Sequence, residues 1–324
     1  MIGLKIIQSG TVTDVSELVS EVNTSGRKGA AGRSMTATLL DAPEFDRAGI
    51  DVFKGCQFIF TWDGSELMRG KVMEQTQDNT HKMQISGRDN LIYLANNSDT
   101  FSYTNKTASQ IFKDVCSRFG VTVGTVADTS YTIPSVSMEN GTLWDCLLKA
   151  LSATYTATGL RYYIASDKGA ASLLRRRDTA VQWVIESGGN LTEYEYRKSI
   201  SELRTRVKML NDTGAVVAQA INAKVEKNHG IFQEILSASS EMNAAQLKAL
   251  TDSTLTLKSA AEETFTVSGI GIPSVVSGTA VQIRIPDLSI SGGFYVDEDS
   301  HTFAGEKHTM RLIITRTDEL EWSD

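Results

Sequence analysis

The residues with the clearest chemical potential form a short acidic run that leads to a histidine. Asp297, Glu298 and Asp299 precede His301. Carboxylates beside an imidazole can bind a metal ion or act as an acid–base pair. The twelve-residue spacing of a calcium loop is absent, and no second histidine stands at a metal-ligand spacing. The pattern favours a turn with a structural histidine, and we expect no metal and no cofactor.

Three further carboxylates raise the question of glycoside cleavage, which needs two acidic side chains that flank the scissile bond. They are Asp128, Glu139 and Asp145. Asp145 follows Thr142 at a spacing typical of a helix start, which explains its position without catalysis. A serine nucleophile would require a G-x-S-x-G elbow, and the sequence contains none. We therefore expect no catalytic residue.

A third group of residues indicates contacts rather than catalysis. Arg27, Lys28 and Arg33 lie in the glycine-rich stretch 24–33, which lacks the G-x-x-x-x-G-K-[ST] order of a phosphate-binding loop. Arg175 and Arg176 belong to the densest basic run, and Trp322 is an aromatic residue near the C-terminus. Two interpretations stay open for the basic residues: a solvated surface, or a contact with a neighbouring subunit or an acidic partner. The candidate contact residues are Arg27, Lys28, Arg33, Arg175, Arg176 and Trp322.

Composition narrows the function classes. The 324 residues are 41% hydrophobic and 22% charged, which is typical of a globular protein of about two to three domains. No apolar run approaches the ~20 residues of a membrane span, and the N-terminus does not resemble a signal peptide. Three cysteines without a CxxC spacing predict reduced, buried thiols.

The formal net charge of −7 argues against non-specific affinity for nucleic acid, which requires clustered Lys and Arg. An acidic protein could still enclose passing DNA without gripping it, because like charges repel.

The elements that would position these residues change character between residues 107 and 176. Two helices are predicted there, one opened by Thr107 and ended by Gly120, the other opened by Thr142 and ended by Gly159. Strands at 160–165 and 171–174 then form a hairpin. Alternating apolar residues predict strands on both sides of this region. A longer helix near 243–261 is capped by Asn243. One or two helical turns are predicted at 42–48 and a loop at 227–230. Trp183 stands on an apolar stripe and is expected in the core.

The two β-rich parts carry a repeated pattern. In each part, a strand follows a first glycine, and a second glycine stands fifteen residues after the first. A later strand in each part begins near a histidine. The matched positions are Gly55 with Gly278, Gly70 with Gly293, and His81 with His308. Several matches in one order predict a duplicated β unit. Each copy has too few strands for an open sheet with bare edges, so closure into a small barrel is expected.

The order of seven motifs is characteristic. The first three are Gly-Arg-Asp-Asn-Leu-Ile-Tyr-Leu at 87–94, Thr-Ala-Ser-Gln-Ile-Phe at 107–112 and Thr-Leu-Trp-Asp-Cys-Leu at 142–147. The fourth is a segment at 269–279 that begins with Gly-Ile and ends with Gly-Thr. The last three lie between 294 and 312 and are Phe-Tyr-Val, Ser-His-Thr-Phe and His-Thr-Met-Arg-Leu. This order resembles the baseplate hub family of contractile phage tails. It is similar to the late control protein D group, and most of all to the hub proteins of PBSX-type prophages in Gram-positive bacteria.

The resemblance implies a fold and an assembly. Members of that family have two tube-like β barrels per chain and form trimers, so that six barrels continue a hexameric tail tube and seat a threefold spike. The expected fold is β-rich α+β, with two related tube-type β barrels and an inserted α/β domain. The expected domains are a first barrel at 1–95, the insert at 96–190 and a second barrel at 191–324.

The implied function is that of a structural baseplate hub without enzymatic activity. The expected partners are further copies in a homotrimer, a trimeric spike protein, a tail tube or tube-initiator protein, and baseplate wedge and LysM-type baseplate proteins. No membrane is involved, and DNA only passes through the lumen. The expected location is the virion tail baseplate, assembled in the host cytoplasm. The alternatives are a cell-wall-degrading tail enzyme and a receptor-binding tail module.

Overall fold

The computed structural model describes residues 1–40, 56–79, 81–176, 183–238 and 243–316, and the chain is β-rich, as predicted. The strands are β1 (Ile2–Gln8), β2 (Thr11–Asp14), β3 (Val19–Arg27), β4 (Ser34–Leu40), β5 (Gln57–Trp62), β6 (Ser65–Gln77), β7 (Lys82–Asp89), β8 (Ser98–Thr107), β9 (Val123–Val126), β10 (Thr132–Thr142), β11 (Tyr162–Asp167), β12 (Ala170–Arg175), β13 (Val184–Glu186), β14 (Leu191–Ser199), β15 (Arg206–Leu210), β16 (Val216–Ile221), β17 (Gln233–Ser237), β18 (Glu262–Ile270), β19 (Ala280–Ile285), β20 (Ile290–Ala304) and β21 (Lys307–Thr315). The helices are α1 (Ile92–Asn96), α2 (Ala108–Arg118), α3 (Leu143–Thr158), α4 (Ala223–His229) and α5 (Ala244–Lys258).

The predicted helix starts are confirmed at the level of single hydrogen bonds. The Thr107 side chain accepts from the backbone of Gln110, whose own side chain completes a capping box. Asn243 caps α5 by the same arrangement. The helix α3 ends as predicted, because Gly159 adopts the left-handed conformation (φ 69°). The predicted hairpin also forms, with β11 and β12 joined at Lys168 and Gly169, both at positive φ.

Thirteen strands form one sheet. Its order is β14-β18-β21-β20-β3-β4-β7-β6-β5-β1-β2, and β19 and β13 branch from β20. The sheet contains two copies of one arrangement, because β4, β7, β6 and β5 lie in the same relative order as β18, β21, β20 and β19. The duplicated β unit predicted from the sequence is therefore visible as duplicated strand topology. Closure of either copy into a barrel stays a prediction.

A shared irregularity fixes the alignment of the two copies. The long middle strand of each copy shifts register at a β-bulge, between Val72 and Glu74 in β6 and between Val296 and Glu298 in β20. Aligning the bulges places Val72 on Val296, so Gly70 falls on Phe294. The sequence alignment of Gly70 with Gly293 was therefore wrong by one residue.

The region between the copies is a separate α/β core. A cluster of buried apolar side chains from α2, α3 and the strands around them includes Phe112, Leu147 and Trp144. All three cysteines are buried thiols, as predicted, and burial raises the pKa of Cys116 to about 12.

The chain divides into two compact units, Met1–Tyr194 with Thr266–Asp324, and Glu195–Phe265. Within the second unit, β16, β15 and β17 form a three-stranded sheet, and α5 packs against β15 and β16. This division groups the residues differently from the three predicted domains, whose boundaries stay a prediction.

Three local predictions differ from the structure or cannot be compared with it. The segment 227–230, predicted as a loop, includes the end of α4, because Asn222 caps a short helix there. Trp183, predicted as a core residue, is 43% exposed. The helical turn predicted at 42–48 lies outside the described residues.

Candidate functional site: the seam between the two copies

A single strand joins the two copies of the repeat. The first half of β20 pairs with β19, from Ile290 to Tyr295. Its second half pairs antiparallel with β3 of the other copy, in six residue pairs from Glu298 with Arg27 to Phe303 with Val22. We call this β3–β20 ladder the seam. Because β20 continues without a loop from one copy of the repeat into the other, the seam fixes the two copies against each other.

A buried ion pair closes one end of the seam. The Arg33 guanidinium donates to both carboxylate oxygens of Asp299, with 2.6 Å between Nη1 and Oδ1. The Asp299 side chain is fully buried and also accepts from the backbone N–H of Ser277 at 2.6 Å. A bidentate pair with an extra donor offsets much of the cost of removing both charges from water.

A second charge cluster forms at the bulge of β20. The carboxylate of Asp297 lies 2.8 Å from Lys28 Nζ and 3.5 Å from Arg176 Nη2. The Arg176 side chain is completely buried and its guanidinium stacks over Tyr295 at 4.8 Å. The bulge turns Asp297 out of the regular alternation of β20, so one carboxylate reaches two cations.

The glycine-rich stretch is ordered by these contacts and by Asp89. The Asp89 carboxylate accepts from the backbone N–H groups of Arg33 and Leu91, both at 3.0 Å. Burial raises the pKa of Asp89, against the lowering effect of these hydrogen bonds. Gly32 adopts φ 83°, and a Cβ there would lie 2.8 Å from Asp89 Oδ1, so a glycine is required.

Buried rings form the middle of the seam. His301 Nε2 lies 2.9 Å from the carbonyl oxygen of Val275 and therefore carries the proton, which leaves Nδ1 to accept from His308 Nε2 at 2.9 Å. His308 stacks on Phe303 at 4.0 Å. Phe303 is a residue of β20, yet its ring contacts Phe60 in the core of the first copy at 5.0 Å. Core packing therefore crosses the seam as well as backbone pairing.

The family of the chain follows from sequence comparison. A model of the YqbQ-like family matches residues 22–315, which include both copies and the whole seam. The chain belongs to the YqbQ-like family. It is 35% identical over 319 residues to the phage-like element PBSX protein XkdQ of Bacillus subtilis (strain 168), covering 97% of each chain. The predicted resemblance to PBSX-type prophage proteins is confirmed.

Solved structures of tail proteins share the fold. The 43 kDa tail protein of prophage MuSo2 from Shewanella oneidensis matches with a TM-score of 0.75 at 15% identity, covering 98% of this chain and 100% of that one. The E. coli c3393 protein, a type VI secretion component described as similar to the T4 phage tail proteins gp27 and gp5, matches with a TM-score of 0.56 at 8% identity, covering 94% of this chain and 76% of that one. The YqbQ-like chain thus has the fold of these tail proteins.

The YqbQ-like chain uses most of its predicted contact residues in its own seam. Lys28, Arg33 and Arg176 bind Asp297 or Asp299 within the chain. The interpretation of Arg176 as part of an exposed basic run is wrong, because its side chain is buried. Arg27, 3.2 Å from Glu298, keeps a half-exposed side chain. Arg175 ends β12, and Trp322 lies outside the described residues. Contacts of these residues with a partner stay a prediction.

The chemistry of the site is that of a structural joint. His301 lies inside β20 rather than in the predicted turn, and the acidic residues before it are engaged by cations. No group of three or more potential metal ligands occurs among the residues that the structure describes.

Asp145 accepts from the Thr142 hydroxyl at 2.6 Å and serves as a helix-start residue, as predicted. In the described ranges, no helix is long and apolar enough to cross a membrane.

Sequence reasoning missed the seam itself. Its ion pairs join residues as far apart as Lys28 and Asp297, a separation of 269 positions, which no local pattern reveals. A signal was available in the alignment of the copies, because the acidic run 297–299 follows the bulge of β20, where the first copy has only Glu74. A charge added to one copy and absent from the other indicates a contact that only one copy makes.

Proposed function

We propose that this YqbQ-like chain is the structural baseplate hub of a contractile phage tail or a tail-like particle. In this proposal three copies form a ring that joins the hexameric tail tube to a trimeric spike. The duplicated strand arrangement, held together by the seam, is the observation that carries the proposal. A chain with two equivalent units can match a sixfold tube with three copies, which solves the symmetry mismatch with a threefold spike.

The finer architecture belongs to the same proposal. Each copy of the repeat closes into a tube-type barrel, with the first at 1–95 and the second at 191–324, and the α/β region at 96–190 lies outside the tube. The tail-protein folds of the solved neighbours and the relationship to XkdQ support this proposal. The chain then acts in the virion baseplate, where the tail tube or its initiator, wedge proteins and LysM-type proteins are its further partners.

The proposed mechanism is geometric and includes no chemical step. Asp297 and Asp299 of β20 are engaged in ion pairs with Lys28 and Arg33 of the segment that follows β3, which is the opposite of a carboxylate poised for proton transfer. A cell-wall hydrolase activity that disappears in Asp145→Asn or Asp299→Asn, with the fold retained, would contradict the proposal.

Light scattering tests the assembly. The solution mass is measured for the full chain alone and after mixing with the candidate spike protein encoded nearby. We expect a trimer, or a three-to-three complex with the spike. A chain that stays monomeric well above micromolar concentration and ignores the spike would overturn the hub proposal and would favour a receptor-binding module.

A further inference from the structure

Among the described strands, each copy of the repeat has one strand edge without a partner strand, although the equivalent strand of the other copy has a partner there. In β20, the residues after the bulge pair with β21 on one side and with β3 on the other. In β6, the residues after the bulge pair with β7, while β5 covers the other side only as far as Lys71. Among the described strands, the backbone edge from Glu74 to Thr76 therefore has a neighbour on one side only.

The complementary edge belongs to β14. The strand β3 lies between β4 and β20, whereas β14, its equivalent in the second copy, pairs with β18 and with no further strand in the described part of the sheet. Arg197 and Lys198 are exposed on β14. Within the described residues, the chain thus has one open edge of the β20 type, on β6, and one of the β3 type, on β14. The equivalent edges, on β20 and β3, are already joined to each other in the seam.

We propose that the β6 edge of one copy of the chain pairs with the β14 edge of the next copy, and that this junction between chains repeats the geometry of the seam. The inference rests on the proposed hub function and adds which strands form the subunit contact. An edge of one kind that binds an edge of the other kind is a heterologous contact, and such contacts close into a ring when the rotation between copies permits it.

The register of the proposed junction follows from two alignments. Aligning the bulges places Glu74 on Glu298 and Thr76 on Ser300. The burial pattern places Phe265 of β18 on Met35 of β4. Met35 pairs with Thr24 of β3, and the Phe265 ring packs on Tyr196 of β14 at 5.5 Å, so Tyr196 corresponds to Thr24. The Lys198–Glu263 ion pair fits the same register.

The seam can therefore be translated residue by residue. In the seam, Ser300 pairs with Ser25. The corresponding pair between chains is Thr76 with Arg197 of the next copy. The full ladder pairs Glu74 with Ser199, Gln75 with Lys198, Thr76 with Arg197, and Gln77 with Tyr196.

Charge supports this register. Arg197 would lie diagonally opposite Glu74, on the same face of the sheet, where oppositely charged side chains attract each other. One step beyond Gln77, Asp78 would face Glu195, and two like charges opposite each other are unfavourable. The ladder is thus expected to end there, two residue pairs shorter than the six pairs of the seam.

Cysteine cross-linking tests the junction in the full chain. Thr76→Cys with Arg197→Cys places one thiol on each proposed edge, and mild oxidation of the assembled protein is expected to give a covalent trimer of the 35.3 kDa chain on a non-reducing gel. Each single variant should stay monomeric on that gel. Thr76→Cys with Glu195→Cys, displaced by two residues, should cross-link at least tenfold less.

The seam supplies a matched positive control. Ser25→Cys with Ser300→Cys occupies the equivalent pair within one chain, and oxidation should consume both thiols without changing the mass of the chain. If this control reacts and light scattering shows a trimer, but the Thr76 and Arg197 pair gives no cross-linked trimer, the proposed edges are wrong while the hub proposal survives. If no trimer forms even with the spike, both proposals fail.

A charge variant tests the same contact without new thiols. Thr76→Arg places a cation opposite Arg197, so the trimer dissociation constant should rise at least tenfold. Adding Arg197→Glu should restore it, which simple misfolding would not do. A Thr76→Arg chain that trimerises like the wild type would overturn the inference.

Discussion

At the scale of single residues, the seam contains two neighbouring carboxylate–arginine pairs, one with a buried carboxylate and one with an exposed carboxylate. The Asp299 side chain is fully buried against Arg33, whereas the side chain of its sequence neighbour Glu298 is 42% exposed beside Arg27. Both are carboxylate–arginine pairs on one strand. Solvent screens the second pair and hardly reaches the first, so their contributions to stability should differ.

The first prediction compares these two pairs. Asp299→Asn leaves the guanidinium of Arg33, whose side chain is only 20% exposed, without a counter-charge, so the free energy of unfolding should fall by about 3 kcal/mol. Glu298→Gln should lower it by less than about 1 kcal/mol. Urea denaturation followed by tryptophan fluorescence measures both. Equal effects of the two variants would show that the Asp299 pair is not the buried contact described.

The second prediction concerns pH. Burial lowers the pKa of both His301 and His308, and that of His308 falls to about 4. Histidines in the unfolded chain take up protons near pH 6.5. Between pH 6.5 and about 4 the unfolded state therefore binds more protons, and the free energy of unfolding should decrease as the pH falls through this window.

The variant His308→Gln tests this assignment, since it removes the half-buried imidazole of the pair. Its free energy of unfolding should depend less steeply on pH between 6.5 and 4 than that of the wild type. His229→Gln, at an exposed position on α4, is the control and should keep the wild-type slope. If the free energy of unfolding depends on pH in the same way in all three proteins, the role given to His301 and His308 is contradicted.

At the scale of elements, two glycines that look equivalent in the sequence differ in structural role. A Cβ on Gly70 in β6 would lie 1.9 Å from the backbone carbonyl oxygen of Arg88, which a strand pairing cannot move aside. A Cβ on Gly293 in β20 would meet nothing within 4 Å. The one-residue offset between the copies explains the difference, because the two glycines do not occupy equivalent positions.

The third prediction uses these glycines. Gly70→Ala should destabilise the chain by more than about 2 kcal/mol, because the added methyl group forces β6 and β7 apart. Gly293→Ala should change stability by less than about 0.5 kcal/mol, as is usual away from such constraints. Thermal unfolding of the two variants side by side decides the matter, and similar melting temperatures would reject the offset alignment.

The elements also show what the sequence could and could not reveal. Capping residues such as Thr107 and Asn243 act within one turn of helix, so local spacing was enough to predict α2 and α5. The duplication was predictable because two copies leave two similar patterns. The burial of Arg176 and the exposure of Trp183 were not predictable, because each depends on strands far away along the chain that decide which side of a local pattern is covered.

At the scale of the whole molecule, net charge governs the encounter with DNA. The chain carries a formal charge of −7, and the cations of the seam are engaged with carboxylates of the same chain. Non-specific binding is driven by counterion release from DNA and needs clustered, unneutralised Lys and Arg, so the net negative charge of the chain opposes it.

The fourth prediction follows from this balance. Fluorescence anisotropy of labelled double-stranded DNA should show no binding by the full chain up to about 100 µM at physiological salt, the weak limit of ordinary non-specific affinity. Lowering the salt to 50 mM should change this little. Saturable binding in the micromolar range would contradict a passive passage for DNA.

The unbroken course of β20 has a consequence for the order and cost of assembly. Assembling six separate units into a ring would need five encounters, each opposed by the loss of translational and rotational entropy. In the proposed ring one strand already spans the two units of each chain, so three of the six joints exist before any two molecules meet, at the high effective concentration of an intramolecular contact. Three chains then need only two encounters, and the last joint closes within the complex.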